Sequence, residues 1–234
     1  MIPPKKSVDG VLLVDKKTGI TSHDVVDRFR RRAQVKKAGH TGTLDPLATG
    51  LLVLCVGKAT RLQSYLMGME KTYEGAFQFG WATDSYDATG EPVGEAVEAS
   101  VEQIDFEPHL ARFRGEIDQM PPAFSAKKID GVRAYEMARK GQEVKLQTKR
   151  VTVYEFTILD VAGSTARFRV RSSAGTYVRS LAHDLGQAIG IPAHLKDLRR
   201  TVIGNFHVDN AIGFDRMSEA TPEEILSPPH FQPL

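Results

Sequence analysis

The chain has 234 residues with a net charge of +2, 41% hydrophobic and 26% charged residues, and one cysteine, Cys55. That length and balance suit a globular protein with a full core and exclude a disordered one. A single cysteine excludes a disulfide framework or a cysteine-based metal site, and the longest apolar run, Leu51–Val56, falls far short of the ~20 residues that span a bilayer.

In chain order, Lys5 and Lys6 precede no apolar stretch, so the N-terminus does not read as a signal peptide and a cytoplasmic protein is expected. The run from Gly10 to Lys16 predicts a buried strand. Thr21 and Asp24 have the spacing of a helix start, followed by one apolar face at Val25, Val26, Phe29 and Ala33. A glycine-rich loop leads into the strand Leu51–Val56, and a helix is expected from about Lys58 to Leu66. Residues 73–79 alternate like a half-buried strand, and Ser100 is placed to cap a helix interrupted by Pro108. Residues 119–130 read as loop or short strands, and Arg133–Lys140 as a helix that Gly141 stops. Residues 151–158 and 167–171 alternate as strands, Leu181–Ile189 is a helix ended by Gly190 and Pro192, and the proline-rich tail from Ser227 is expected to be poorly ordered. Strands with helices between them, and no strict strand–helix–strand rhythm, argue for an α+β or mixed α/β fold. No linker is evident before about residue 213.

The charge is divided along the chain. Residues 1–71 carry +7, residues 72–118 carry −9, residues 119–200 carry +8 and residues 201–234 carry −4. Two basic blocks around an acidic one fit a polyanionic partner if folding gathers them, but charge runs also merely solvate a surface. The histidines show no metal-ligand spacing with cysteine or acidic residues, so no metal is expected.

The most telling segment runs from Gly39 to Gly50, with His40 and Asp45 among glycines, threonines and alanine. Gly39, Gly42 and Gly50 permit unusual backbone or close approach, and Pro46 pushes Asp45 out of the helical region. A lone carboxylate on a shaped loop beside a buried strand suits catalysis, although Asp-Pro is also an ordinary turn pair.

The full string GHTGTLDPLATG closely resembles the signature loop of the TruB family, the bacterial tRNA pseudouridine-55 synthases. Further segments repeat the resemblance in order: KTGITSHDVVD from Lys17, Lys71-Thr72-Tyr73, the PPAFSAKK run ending at Lys128, GTYVRS from Gly175, and Leu198-Arg199-Arg200. They extend over residues 8–205. The resemblance implies the pseudouridine synthase fold, a central mainly antiparallel sheet flanked by helices and loops with a cleft across it. It implies a cofactor-free isomerase that flips a uridine of the tRNA T-arm, breaks its glycosidic bond and rejoins the uracil through C5. Asp45 is then the catalytic carboxylate, acting as nucleophile or as a base on the sugar, and Arg179 its ion-pair partner. Tyr73 stacks on the flipped base and helps move the C5 proton, Tyr177 and Leu198 line the uracil pocket, and His40 fills the space the base leaves. Arg61, Lys127, Lys128 and Arg139 are candidates for phosphate contacts. Without the resemblance, Arg179 reads as an exposed arginine, Tyr73 as a sheet-face aromatic, Leu198 as core and His40 as a loop histidine bonded to backbone.

Residues 8–213 are expected to form the catalytic domain and 214–234 a short tail, with the PUA-type domain that bacterial members commonly carry absent. A stand-alone monomer with no membrane or obligate protein partner is expected. The competing reading, an RNA-binding module without catalysis, makes Asp45 dispensable.

Overall fold

A computed structural model describes residues 8–122 and 147–234, with the backbone alone of 128–129 and 132–133. The chain forms two compact units, residues 1–73 with 199–234 and residues 74–198. It is a mixed α+β protein whose strands pair mainly antiparallel. Among the described residues no helix is long and apolar enough to cross a membrane.

The first unit is built on the antiparallel pair Gly10–Lys16 and Thr49–Val56, in register from Gly10 opposite Val56 to Lys16 opposite Gly50. Both faces of this pair are covered. Leu12, Val14, Leu52, Leu54 and Val56 pack with Val25, Val26 and Phe29 of the helix Ser22–Arg32. Val11, Leu13, Leu51, Val53 and Cys55 pack with Ala59, Leu66 and Ile203 on the other face. Two buried faces explain why these strands read as continuous apolar runs rather than alternating ones. The helix starts where expected: Thr21 accepts from the Asp24 amide at 3.1 Å, and the Asp24 carboxylate accepts from the Thr21 amide at 2.8 Å. The single helix expected over Lys58–Leu66 is instead a 3₁₀ turn, Gly57–Leu62, followed by a short α-helix, Gln63–Met67.

The tail departs from its expected disorder. From Ser227 on, the strand Phe231–Pro233 pairs antiparallel with Gly10–Leu12, after the helices Phe214–Glu219 and Pro222–Ile225. The anchor is apolar: Phe231 is buried in the same cluster as Leu12 and Phe29. Arg32 also donates to the carbonyl of Ala220 at 2.7 Å.

In the second unit the strand order runs from Ala193–Ile203 through Lys71–Phe79, Thr165–Ser172 and Lys149–Ala162 to Gly115–Gln119, taking the portions within 74–198. Phe77 stacks on Phe168 with centroids 4.0 Å apart, and Phe156 meets Phe77 edge-on at 6.0 Å. The helix Val178–Ile189 closes on Gly190 in the left-handed region at φ 83°, as its sequence signal requires. No helix starts at Ser100. The helix here is Glu107–Leu110, four residues with Pro108 in its first turn, where a missing amide costs nothing. The helix expected over Arg133–Lys140 lies outside the described residues, apart from the backbone of Arg133, which is in a strand paired with Lys128–Ile129.

Candidate active site

In the first unit, the segment Ala38–His40 pairs with the strand Thr49–Val56, placing His40 opposite Leu54. The chain then leaves the sheet and returns at Thr49, just before Gly50, whose φ is 99°. Between these points Asp45 opens a tight turn in which the Ala48 amide donates to the Asp45 carbonyl at 3.0 Å. The turn and the presented carboxylate are therefore one feature, with Asp45 half-buried.

Other parts of the unit hold this turn from several sides. The Gly19 amide donates to the Pro46 carbonyl at 2.8 Å, and the Thr18 hydroxyl to the Leu47 carbonyl at 3.1 Å. The Ser22 hydroxyl accepts from the Leu44 amide at 2.8 Å and donates to the Leu44 carbonyl at 3.2 Å. Below the loop lies Arg200, 1% exposed, donating to the carbonyls of Leu51 at 2.8 Å and Gly42 at 3.1 Å. Lys16, fully buried, donates to the carbonyls of Lys17 and Ile20 at 2.9 and 2.8 Å. Burial lowers its pKa to about 8, against an upward pull from the Asp45 carboxylate and a further downward push from Arg200. A buried ammonium and a buried guanidinium thus border the loop that carries Asp45.

His40 is fixed at its backbone, where the Gln63 side chain donates to its carbonyl at 2.9 Å. Its Nδ1 accepts from the Gly42 amide at 3.4 Å, which leaves the proton of a neutral ring on Nε2. Burial first, then Arg200 and His23, holds its pKa below the usual histidine value. Tyr73 ends the first of this unit's two segments, buried in the strand Lys71–Phe79. Arg61 is exposed on the 3₁₀ turn.

In the second unit, Gly175–Ser180 leads into the helix Val178–Ile189. Gln119 locks its entry, accepting from the Tyr177 amide at 2.7 Å and donating to the Tyr177 carbonyl at 3.0 Å. Arg179, in the first turn of the helix, is buried rather than exposed. Its Nη1 donates to the Ser85 carbonyl at 3.1 Å and lies 3.6 Å from the Asp87 carboxylate. Asp87 is itself buried and accepts from the Ser85 and Thr89 hydroxyls at 2.9 and 2.6 Å and from the Thr89 amide at 2.9 Å. Leu198 is buried at the end of this unit. Lys127 and Arg139 lie outside the described residues, and of Lys128 only the backbone is described, in a two-residue strand.

The residues missed by sequence reasoning are Asp87, Lys16 and Arg200 as supports. Asp87 sits in a stretch read only as turn-forming. Its local signal is an aspartate two residues before a threonine, a spacing that favours an Asx turn but names no distant partner.

The N-terminal domain of the TruB family pseudouridylate synthases matches residues 30–178, and the tRNA pseudouridylate synthase B C-terminal domain matches residues 179–226. This chain belongs to the TruB family. Among its relatives, the tRNA pseudouridine synthase B of Solibacter usitatus (strain Ellin6076) is 50% identical over 219 residues, 94% of this chain and 75% of the relative. That of Opitutus terrae (strain DSM 11246 / JCM 15787 / PB90-1) is 46% identical over 95% of this chain and 92% of the relative. Among solved structures, an H/ACA ribonucleoprotein bound to a substrate RNA containing 2′-deoxyuridine superposes with a TM-score of 0.70 at 27% identity over 96% of this chain. A Cbf5–Nop10–Gar1 complex superposes with a TM-score of 0.70 at 31% identity over 90% of this chain. This chain spans 59% and 54% of those two chains. The fold is that of the pseudouridine synthases. His40, Asp45, Tyr73 and Tyr177 fall within the N-terminal TruB match, and Arg179 and Leu198 within the C-terminal one.

Proposed function

We propose that this chain is a tRNA pseudouridine synthase that converts a uridine of the T-loop, position 55, into pseudouridine, with Asp45 as the catalytic carboxylate. The observation that carries the reading is the turn at Asp45, a carboxylate presented on a backbone pinned through Leu44, Pro46 and Leu47. Such pre-fixing suits a group that must meet one reacting centre, because misplacement by ~1 Å costs ~10²-fold in rate. The C1′–N glycosidic bond breaks, the uracil turns, and C5 joins C1′. The proton leaves C5 and the former glycosidic nitrogen gains one, so the reaction is an isomerisation with no cofactor. Asp45 acts at the ribose–base centre, Arg179 orients it, Tyr73 stacks on the base and assists the C5 proton, and Tyr177 and Leu198 line the pocket. His40, neutral and ring-shaped, occupies the space the flipped base leaves, offsetting part of the lost stacking. Residues 8–213 carry this chemistry, in the cytoplasm and without a protein partner. Arg61, Lys127, Lys128 and Arg139 meet phosphates.

The test is release of tritium from C5-labelled uridine in tRNA. Asp45→Asn should abolish release while tRNA affinity stays within a few-fold; release by that variant at the normal rate would overturn the assignment.

A further inference from the structure

We propose that the short helix Gln63–Met67 and the segment Lys36–His40 form one RNA-docking surface, on which Tyr65 stacks a base of the substrate loop and Lys36, Lys37 and Arg61 meet the adjoining phosphates. The inference rests on the reading of the chain as an RNA-modifying enzyme.

Tyr65 is 72% exposed, flanked by Leu62 at 40% and Met67 at 47%. An aromatic ring so open on a five-residue helix does no work for the core, since the apolar side of that helix is supplied by buried Leu66. Both elements carry or adjoin exposed cations. Lys36, Lys37 and Arg61 are exposed, and among the described residues none of them is held in an ion pair.

The two elements are locked side by side. The Gly57 amide donates to the Lys37 carbonyl at 2.8 Å, Ala38 pairs with Val56, and the Gln63 side chain donates to the His40 carbonyl at 2.9 Å. A Cβ on Gly39 would come within 3.1 Å of Gln63 Oε1, so the helix lies directly against the chain entering the Asp45 loop. One hydrogen bond therefore separates the Tyr65 helix from the backbone of His40.

Exposed aromatic and cationic side chains together match single-stranded nucleic acid better than protein. Every base offers a face to stack on the ring, and the phosphates between bases meet the cations. Single-stranded loops with splayed bases are the RNA elements that offer both at once. Arg61 gains a definite context, four residues before Tyr65 on the 3₁₀ turn that leads into its helix.

The test is filter binding of a synthetic T-arm stem-loop RNA at several KCl concentrations. Tyr65→Ala should weaken binding about ten-fold with the salt slope unchanged, and Tyr65→Phe should restore it. The double variant Lys36→Ala/Lys37→Ala should instead flatten the slope by about one to two. All these positions are exposed, and thermal melts should match wild type. Unchanged affinity in both variants would overturn the inference while leaving the proposed function standing. If wild type binds no stem-loop RNA, the functional reading falls and the inference falls with it. A wild-type dimer on light scattering that Tyr65→Ala converts to monomer, with RNA binding intact, would assign the surface to a second copy instead.

Discussion

The Arg200 guanidinium donates to the Gly42 carbonyl at 3.1 Å, joining a strand residue at 1% exposure to the backbone just after His40. The same side chain donates through Nε to the Leu51 carbonyl at 2.8 Å, so it ties the loop's outgoing limb to its returning one. A fully desolvated cation is tolerated here because backbone carbonyls surround it.

Arg200→Met removes these donors and leaves buried carbonyls unpaired, at a cost of about 2–4 kcal/mol. Arg200→Lys keeps the charge, but a single ammonium does not span carbonyls on both limbs as the planar fork does. We expect Arg200→Lys to fold, recover part of the stability, and lose about 10- to 100-fold in kcat for tritium release. Urea denaturation read beside turnover separates the two effects. Full activity in Arg200→Met would show that the loop holds its shape without this cation.

Gly50 makes the second prediction. At φ 99° it occupies backbone space that residues with a Cβ avoid, and an added Cβ would lie 2.3 Å from the Arg200 carbonyl oxygen. That neighbour is backbone in the parallel pairing of Arg199 with Thr49 and Arg200 with Gly50, so it yields only if the strands separate. Gly50→Ala should therefore destabilise by about 3 kcal/mol, combining the strained φ with steric overlap. A shift of the urea midpoint is the measurement. An unchanged midpoint would mean the strands part at no cost.

In the second unit Asp87 supports Arg179. With the carboxylate 3.6 Å from Nη1 and both side chains buried, Asp87→Asn removes an opposite charge that no water replaces. We expect a loss of about 1–3 kcal/mol and at least a ten-fold fall in kcat, with tRNA affinity little altered. In the Asp87→Asn/Arg179→Met double variant the losses should fall short of additive, because one interaction is removed twice. Strict additivity would mean the two residues act independently.

Much of this architecture was legible because its signals are local. The Thr21–Asp24 cap, the apolar runs on Gly10–Lys16 and Leu51–Val56, and Gly190 after a helix each act within a few residues, and each stands where the sequence placed it. Ser100 misled because Val101 and Ile104 after it have helical spacing but are held in an irregular segment instead, with the Val101 amide donating to the distant Gly163 carbonyl at 2.8 Å. The tail misled because Phe231 is held by pairing with residues 10–12, at the other end of the chain. Within the site, the loop of Asp45 was visible as a string, whereas its supports were not. Lys16 ends a strand and Arg200 sits in another, and nothing within a few residues of either tells a buried cation from a solvated one.

Asp184 supplies a pH-dependent prediction. It lies on the helix Val178–Ile189, and burial raises its carboxyl pKa from 3.8 to about 6. Between those values the native state binds the proton more tightly than the unfolded chain does. The group's contribution is therefore most favourable below about pH 4 and is lost as pH rises through 6, where folding must bury a charge. Asp184→Asn cannot ionise, so it should gain stability over wild type at pH 8 and gain less at pH 5. Urea midpoints of both proteins at the two pH values decide it. An equal difference at pH 5 and pH 8 would show that Asp184 does not titrate across this interval in the native protein.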